Sequence, residues 1–326
     1  MRLRTDSPLG ISGCVLIAAL ASGLFASSCG DGDSRPADVA LEDIVEELRT
    51  IVDSSRATPA NGDFPGRDAR VLETRLWYAD TALRRPACRG SRCALILLAH
   101  GFGGNTARFD AIGQRLAAAG YIVAAVSFPL TNEDAPGGFT GGILDVRQEP
   151  QDLSAVTDAL IAASHDRNDR LYRRIDSENI GAMGHSLGGA AVIAASRLTC
   201  CRDERLRATA YVEPVASTVE AFFGEPYAAA GPPTLTFQGE IDFPVPPAAT
   251  RVFHAALDAP KILVEMVGGN HVNIIERFRE QPDPLLDSTA HMMIAFFDHF
   301  LTGRGDRVRE AIDDLRRDGH TVDYAP

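Results

Sequence analysis

Residues 94–99 (Ala-Leu-Ile-Leu-Leu-Ala) and 121–126 (Tyr-Ile-Val-Ala-Ala-Val) are unbroken runs of apolar and aromatic side chains. A strand without a polar face must be covered on both sides, which is the condition of strands in a parallel sheet. Between the two runs, Phe109, Ile112 and Leu116 recur at helical spacing and stop at Gly120, a residue type that closes helices because it tolerates left-handed backbone. The alternation continues along the chain. A helix carrying Leu153, Val156 and Leu160 follows Pro150, which suits a first helical turn. Strands are expected at 71–78, 179–183, 208–212, 234–238 and 262–267. Helices are expected at 187–196, 246–257, 285–301 and 307–317. Alternating strands and helices predict an α/β fold with a mostly parallel central sheet and helices on both faces. Ligands in such sheets sit beyond the carboxyl ends of the strands.

The ends of the chain read differently. Arg2 and Arg4 precede an apolar run over 11–25, then Ala26-Ser27-Ser28-Cys29. A charged start, a short apolar core and small residues describe an export signal over residues 1–28, and the run is short for a membrane span. Residues 29–65 are expected to be a solvated tether and a short amphipathic helix over 39–52, with Leu41, Ile44, Val45 and Leu48 on one face. Residues 54–68 read as loop. The α/β domain is placed at 66–305, with a C-terminal helix and tail over 306–326. In an exported protein, Cys88 and Cys93 are positioned to close a small disulfide loop. Cys200 and Cys201 either pair with each other or find other partners.

The motifs with chemical content fall at predicted strand ends. Gly184-His185-Ser186-Leu187-Gly188 follows one strand and opens one helix. Such a turn forces the serine into strained backbone and exposes its hydroxyl, with glycines preventing clashes. Ser186 is the expected nucleophile. A hydroxyl at neutral pH needs a base, and His271, in a loop freed by Gly268 and Gly269, is the expected one; His185 is read as structural. Asp242, after the preceding strand, is the expected acid. Glu213, one strand earlier, is the alternative acid, and Glu240 is a nearby rival that projects differently. The oxyanion hole is assigned to the backbone N–H groups of Leu187 and Phe102, the latter in His100-Gly101-Phe102-Gly103-Gly104. His100 is expected to brace that turn. The loop over 129–142 is either a rim of the site or ordinary surface.

A net charge of −12 argues against nucleic acid as a partner, because a phosphate-binding surface must be basic. No histidine lies at ligand spacing from either cysteine pair, so no metal is expected, and no cofactor is implied.

On these residues the chain from about 70 to 303 resembles the α/β-hydrolase superfamily. It is similar to the bacterial lipase, cutinase and polyester-hydrolase branch, and to the predicted dienelactone hydrolase and platelet-activating-factor acetylhydrolase groups. The cues are residues 98–104, 145–152, 184–189, 239–246 and 269–271. The resemblance implies a serine esterase acting on a small-molecule, lipid or polyester ester through an acyl-enzyme; a monomer is expected. Alternatives are phospholipid acyl or amide cleavage at the same triad, or a non-catalytic lipid-anchored binding protein. The polyester-hydrolase branch places its acid as Asp242 is placed; the acetylhydrolase branch uses the position of Glu213. The N-terminus resembles a bacterial lipoprotein signal in which Cys29 is lipidated, implying the cell envelope; the plain alternative is secretion.

Overall fold

The computed structural model describes residues 43–80, 85–276 and 284–326. The expected export signal and Cys29 lie outside these residues. Ten strands form one sheet among the described residues. In chain order they are β1 (Ile44–Asp53), β2 (Arg70–Ala79), β3 (Cys88–Arg89), β4 (Arg92–Ala99), β5 (Ile122–Ser127), β6 (Ile175–His185), β7 (Leu206–Val212), β8 (Thr234–Gly239), β9 (Lys261–Met266) and β10 (Thr321–Ala325). The spatial order is β1-β2-β5-β4-β6-β7-β8-β9-β10, with β3 paired to β4. From β5 across to β9 every neighbouring pair is parallel. The antiparallel pairs are β1/β2, β2/β5, β9/β10 and β3/β4.

The two apolar runs became β4 and β5, and their residues are buried on both faces as their composition demands. The main helices are α1 (Asp110–Ala118), α2 (Glu149–His165), α3 (Leu187–Arg197), a short α4 (Val219–Phe223), α5 (Pro247–Ala256), α6 (Pro284–Phe300) and α7 (Val308–Arg317). α1 packs on α6, and α6 on α7; α2 packs on α3. These two groups cover the two faces of the sheet. Close approach needs small residues: a β-carbon at Gly113 of α1 would lie 2.6 Å from the Trp77 ring. All of α3 is buried, which explains its alanine and glycine content, since large side chains would hold it off the sheet.

One expectation is corrected. The segment expected as an amphipathic helix over 39–52 is, from Ile44 onward, the edge strand β1. It pairs with β2 over its whole length, from Ile44 opposite Ala79 to Asp53 opposite Arg70. The apolar residues at helical spacing misled, because Ile44, Val45, Thr50, Ile51 and Val52 are β-branched and stiff at χ1, and alternate residues face the protein. Leu48, assigned to the buried helix face, is 64% exposed. In the tail after α7, residues 321–325 form β10, which closes the other edge against β9 with Val322 opposite Val264. Both end segments therefore belong to the sheet. No helix among the described residues is long and apolar enough to cross a membrane.

Disulfides join Cys88 to Cys93 across the β3–β4 hairpin and Cys200 to Cys201.

Candidate active site

One residue separates β6 from α3, and it is Ser186. Its backbone has φ 54°, a region that costs a side-chain-bearing residue free energy and persists only where the surroundings impose it. The impositions are visible. Ser186 N–H donates to the Val212 carbonyl at 3.0 Å, and the Ser186 carbonyl accepts from Val215 N–H at 3.0 Å. A β-carbon at Gly184 would lie 2.2 Å from the Gly188 carbonyl oxygen, and one at Gly188 would lie 2.2 Å from that of Ala99. The flanking glycines are thus required by close backbone approach.

His271 follows β9 and Asp242 follows β8, each on a short loop. Their side chains meet at Ser186. His271 Nε2 is 2.9 Å from Ser186 Oγ, and His271 Nδ1 is 2.9 Å from Asp242 Oδ2. Asp242 is buried, and its carboxylate also accepts from Gln238 Nε2 at 3.2 Å and from Val245 N–H at 2.9 Å. With His271, three donors surround it. Burial of the His271 ring works against its cationic form, but the hydrogen bond and charge of Asp242, helped by Glu276, outweigh it and hold His271 above the ordinary imidazole value. Arg108 Nη1 reaches both oxygens of Glu276 at 3.1 Å and so ties the His271 loop to the segment after the 100–104 turn.

The remaining sequence-predicted residues fall into place around this chain of hydrogen bonds. A β-carbon at Gly101 would lie 3.0 Å from Ser186 Cβ, so the 100–104 turn runs directly beside the serine. His100 braces it: its Nδ1 donates to the Gly101 carbonyl at 2.8 Å, and its Nε2 accepts from Phe128 N–H at 3.1 Å. Burial pushes His100 down to about 4, so it stays neutral. The 129–142 loop packs against the same turn. Gly103 N–H donates to the Thr131 carbonyl at 2.7 Å, and the Phe139 ring meets Phe102 edge-on at 5.3 Å. Glu240 points elsewhere, accepting from Gly268 N–H at 3.1 Å. His185 lies off the serine hydroxyl, with Nε2 2.7 Å from the His271 carbonyl. Burial, then the nearby His271, push it down to about 4.

Glu213 is also in contact with the site. It is fully buried, and its Oε2 lies 3.6 Å from both His271 Nδ1 and His185 Nε2. It does not displace Asp242, which is closer to the ring. Donor atoms of His185, Glu213 and His271 lie within 4.8 Å of one another. Both histidine nitrogens already serve hydrogen bonds, so holding a metal there would dismantle the serine's partner.

Sequence reading missed a second buried cluster. Arg70, fully buried at the start of β2, forms a two-pronged pair with Asp145 at 2.7 and 2.9 Å. It also contacts Asp152 through Nε at 3.0 Å. Asp145, Glu149 and Asp152 are spaced four and three apart, which on helical backbone is one face; that carboxylate stripe was the available signal. Exposed apolar side chains stand on the connections at the same end of the sheet: Phe102, Ile143 and Leu144 of a 3-10 turn, Ile241, Phe243 and Val267.

The family model for PET hydrolase-like proteins matches residues 53–304. No curated protein sequence matches the chain. A solved ferulic acid esterase from Streptomyces cinnamoneus is similar with a TM-score of 0.59 at 22% identity, over 84% of this chain and 94% of that one. At that identity the likeness is one of fold, the α/β-hydrolase fold.

Proposed function

The chain belongs to the PET hydrolase-like family of carboxylic-ester hydrolases, and from that premise we propose that it cleaves its ester through an acyl-enzyme on Ser186. One observation carries this reading: the unbroken hydrogen-bonded chain from Ser186 Oγ through His271 to Asp242, 2.9 Å at each link.

His271 Nε2 takes the hydroxyl proton as Oγ attacks the ester carbonyl. Asp242 accepts from Nδ1, which fixes the tautomer with a free Nε2 lone pair and stabilises the imidazolium. Charge developing on the carbonyl oxygen is met by the N–H groups of Leu187, at the start of α3, and Phe102. The imidazolium then gives its proton to the leaving alcohol, and water cleaves the acyl-enzyme by the same steps reversed. The exposed apolar residues on the surrounding loops favour an apolar ester, a small molecule or a polyester chain, over a highly charged one.

The N-terminal sequence supports export, with lipidation at Cys29 as the anchor. The two disulfides agree with an oxidising compartment.

The test uses a fluorophosphonate probe and short p-nitrophenyl esters. The expected result is labelling at Ser186 and turnover abolished by Ser186→Ala. Full activity in that variant would sink the assignment.

A further inference from the structure

The mechanism above makes no use of Glu213, the second carboxyl beside His271. It follows β7 directly and has φ 51°, a left-handed conformation that glutamate holds only under constraint. Its Oε1 accepts the Gly239 N–H at 3.1 Å. A β-carbon at Gly239 would lie 2.6 Å from that oxygen, so the glycine makes room for the carboxyl. Oε2 has no hydrogen-bond partner among the described residues, although His271 Nδ1 and His185 Nε2 each lie 3.6 Å away.

The proton inventory at this point is tightly constrained. His185 Nε2 faces a carbonyl oxygen, which only accepts, so this nitrogen carries a proton. His271 Nδ1 faces the Asp242 carboxylate and donates to it. Neither nitrogen is free to receive a proton from Glu213. Of the two carboxyls, Asp242 is surrounded by three donors and Glu213 by one. Two adjacent carboxyls in a buried site do not both ionise readily, and the one with more donors carries the charge. Glu213 therefore carries the proton. Burial, then the charge of Asp242, push Glu213 up to about 9. The other groups facing this point are Glu276, acting on both histidines, and the neutral His100 beyond His185.

Resting on the triad reading, we propose that Glu213 is a second acid for His271, kept neutral by Asp242, that becomes the imidazole's anion when the Asp242 charge is removed. Its role is positioning, because it acts through His271 rather than on substrate. On loss of the Asp242 charge, Glu213 releases its proton to solvent. The resulting carboxylate already lies on the Nδ1 side of the ring and selects the same tautomer.

The experiment is a double-mutant cycle on kcat/KM for a short p-nitrophenyl ester, with Glu213→Gln, Asp242→Ala and both together, read from pH 6 to 10. Because Glu213 works as a neutral group, Glu213→Gln alone is expected within about threefold of wild type near neutral pH, with coupling appearing only in the cycle. Asp242→Ala is expected to lose roughly 10³-fold. Adding Glu213→Gln to it is expected to cost a further tenfold or more. Asp242→Ala alone keeps a pH limb that the double variant lacks. Thermal unfolding checks each fold, and Asp242→Asn replaces Asp242→Ala if the latter does not fold. Equal costs of Glu213→Gln in both backgrounds would overturn the proposal while leaving the triad intact. A wild-type protein that neither turns over the ester nor labels at Ser186 would overturn both.

Discussion

Two buried clusters in this molecule hold more carboxyls than cations. Around Arg70, and Arg56 which reaches Asp152 from outside at 2.7 Å, stand Asp145, Asp152 and, behind them, Glu149; around His271 stand Asp242 and Glu213. In each, one glutamate absorbs the excess by staying protonated. Burial lifts Glu149 well above the carboxylate range, with the charges of Asp145 and Asp152 adding to it; Glu213 rises to about 9 for the same kinds of reason. What differs is the cation. A guanidinium does not deprotonate in proteins, so the Arg70 cluster is a fixed clamp that holds β2 to the start of α2. An imidazole changes charge near neutral pH, so the His271 cluster can move a proton. The same carboxylate excess is structural beside one cation and chemical beside the other.

This contrast can be broken in several places. The largest effect is expected from Ser186→Ala, which should lower kcat by roughly 10⁶-fold with no loss of unfolding midpoint. An active variant would place the chemistry elsewhere. Arg70→Met should do the reverse. Stranding buried carboxylates costs about 3–5 kcal/mol, read by denaturant unfolding, while kcat/KM of the folded fraction holds. A midpoint like wild type would show that the clamp is idle.

Subtler tests separate the clusters by pH. In the proposed mechanism His271 must be neutral to act as base, and its value is raised above the ordinary 6.5. Activity should therefore fall as pH drops through a limb above 6.5, and Asp242→Ala should move that limb to lower pH, seen in kcat/KM profiles. The Arg70 cluster should show its titration in stability. A glutamate whose folded pKa lies above its unfolded value contributes most below the unfolded value of 4.5. That contribution declines as pH rises toward the folded value. Glu149→Gln should remove the decline, up to about 1.4 kcal/mol per pH unit, so that unfolding free energy between pH 5 and 8 becomes flatter; an unchanged slope would mean that Glu149 is ionised. The smallest effect is expected at Glu240, which approaches the site in sequence but not in space: Glu240→Gln should leave kcat/KM within about twofold. A large loss there would reopen the choice of acid.

The difference between clusters also marks what could be read without coordinates. Ser186 was legible because a one-residue strand-to-helix turn needs glycines at fixed offsets, and those glycines are local in sequence. His271 and Asp242 were legible by their order and their place after strands. Glu213 was visible as a candidate acid, but its protonation was not. That depends on burial and on an oxygen–nitrogen distance set by three separate loops. Arg70 sits 75 residues from Asp145, and only the fold brings them together. β1 was misread because apolar residues at helical spacing also occur by chance in a strand, and its pairing with β2 is tertiary. β10 is only five residues long, too short for a periodic signal.

By itself, then, the sequence determined the layer architecture and the strand-to-helix turn that carries the proposed nucleophile, since hydrophobic periodicity and turn chemistry are local constraints on backbone. Which strands close the sheet edges, and which of two acids near His271 carries the charge, were decided only by tertiary structure. Edge pairing joins segments distant in the chain, and the charge of a carboxyl is set by the donors and the solvent that the fold brings to it or excludes.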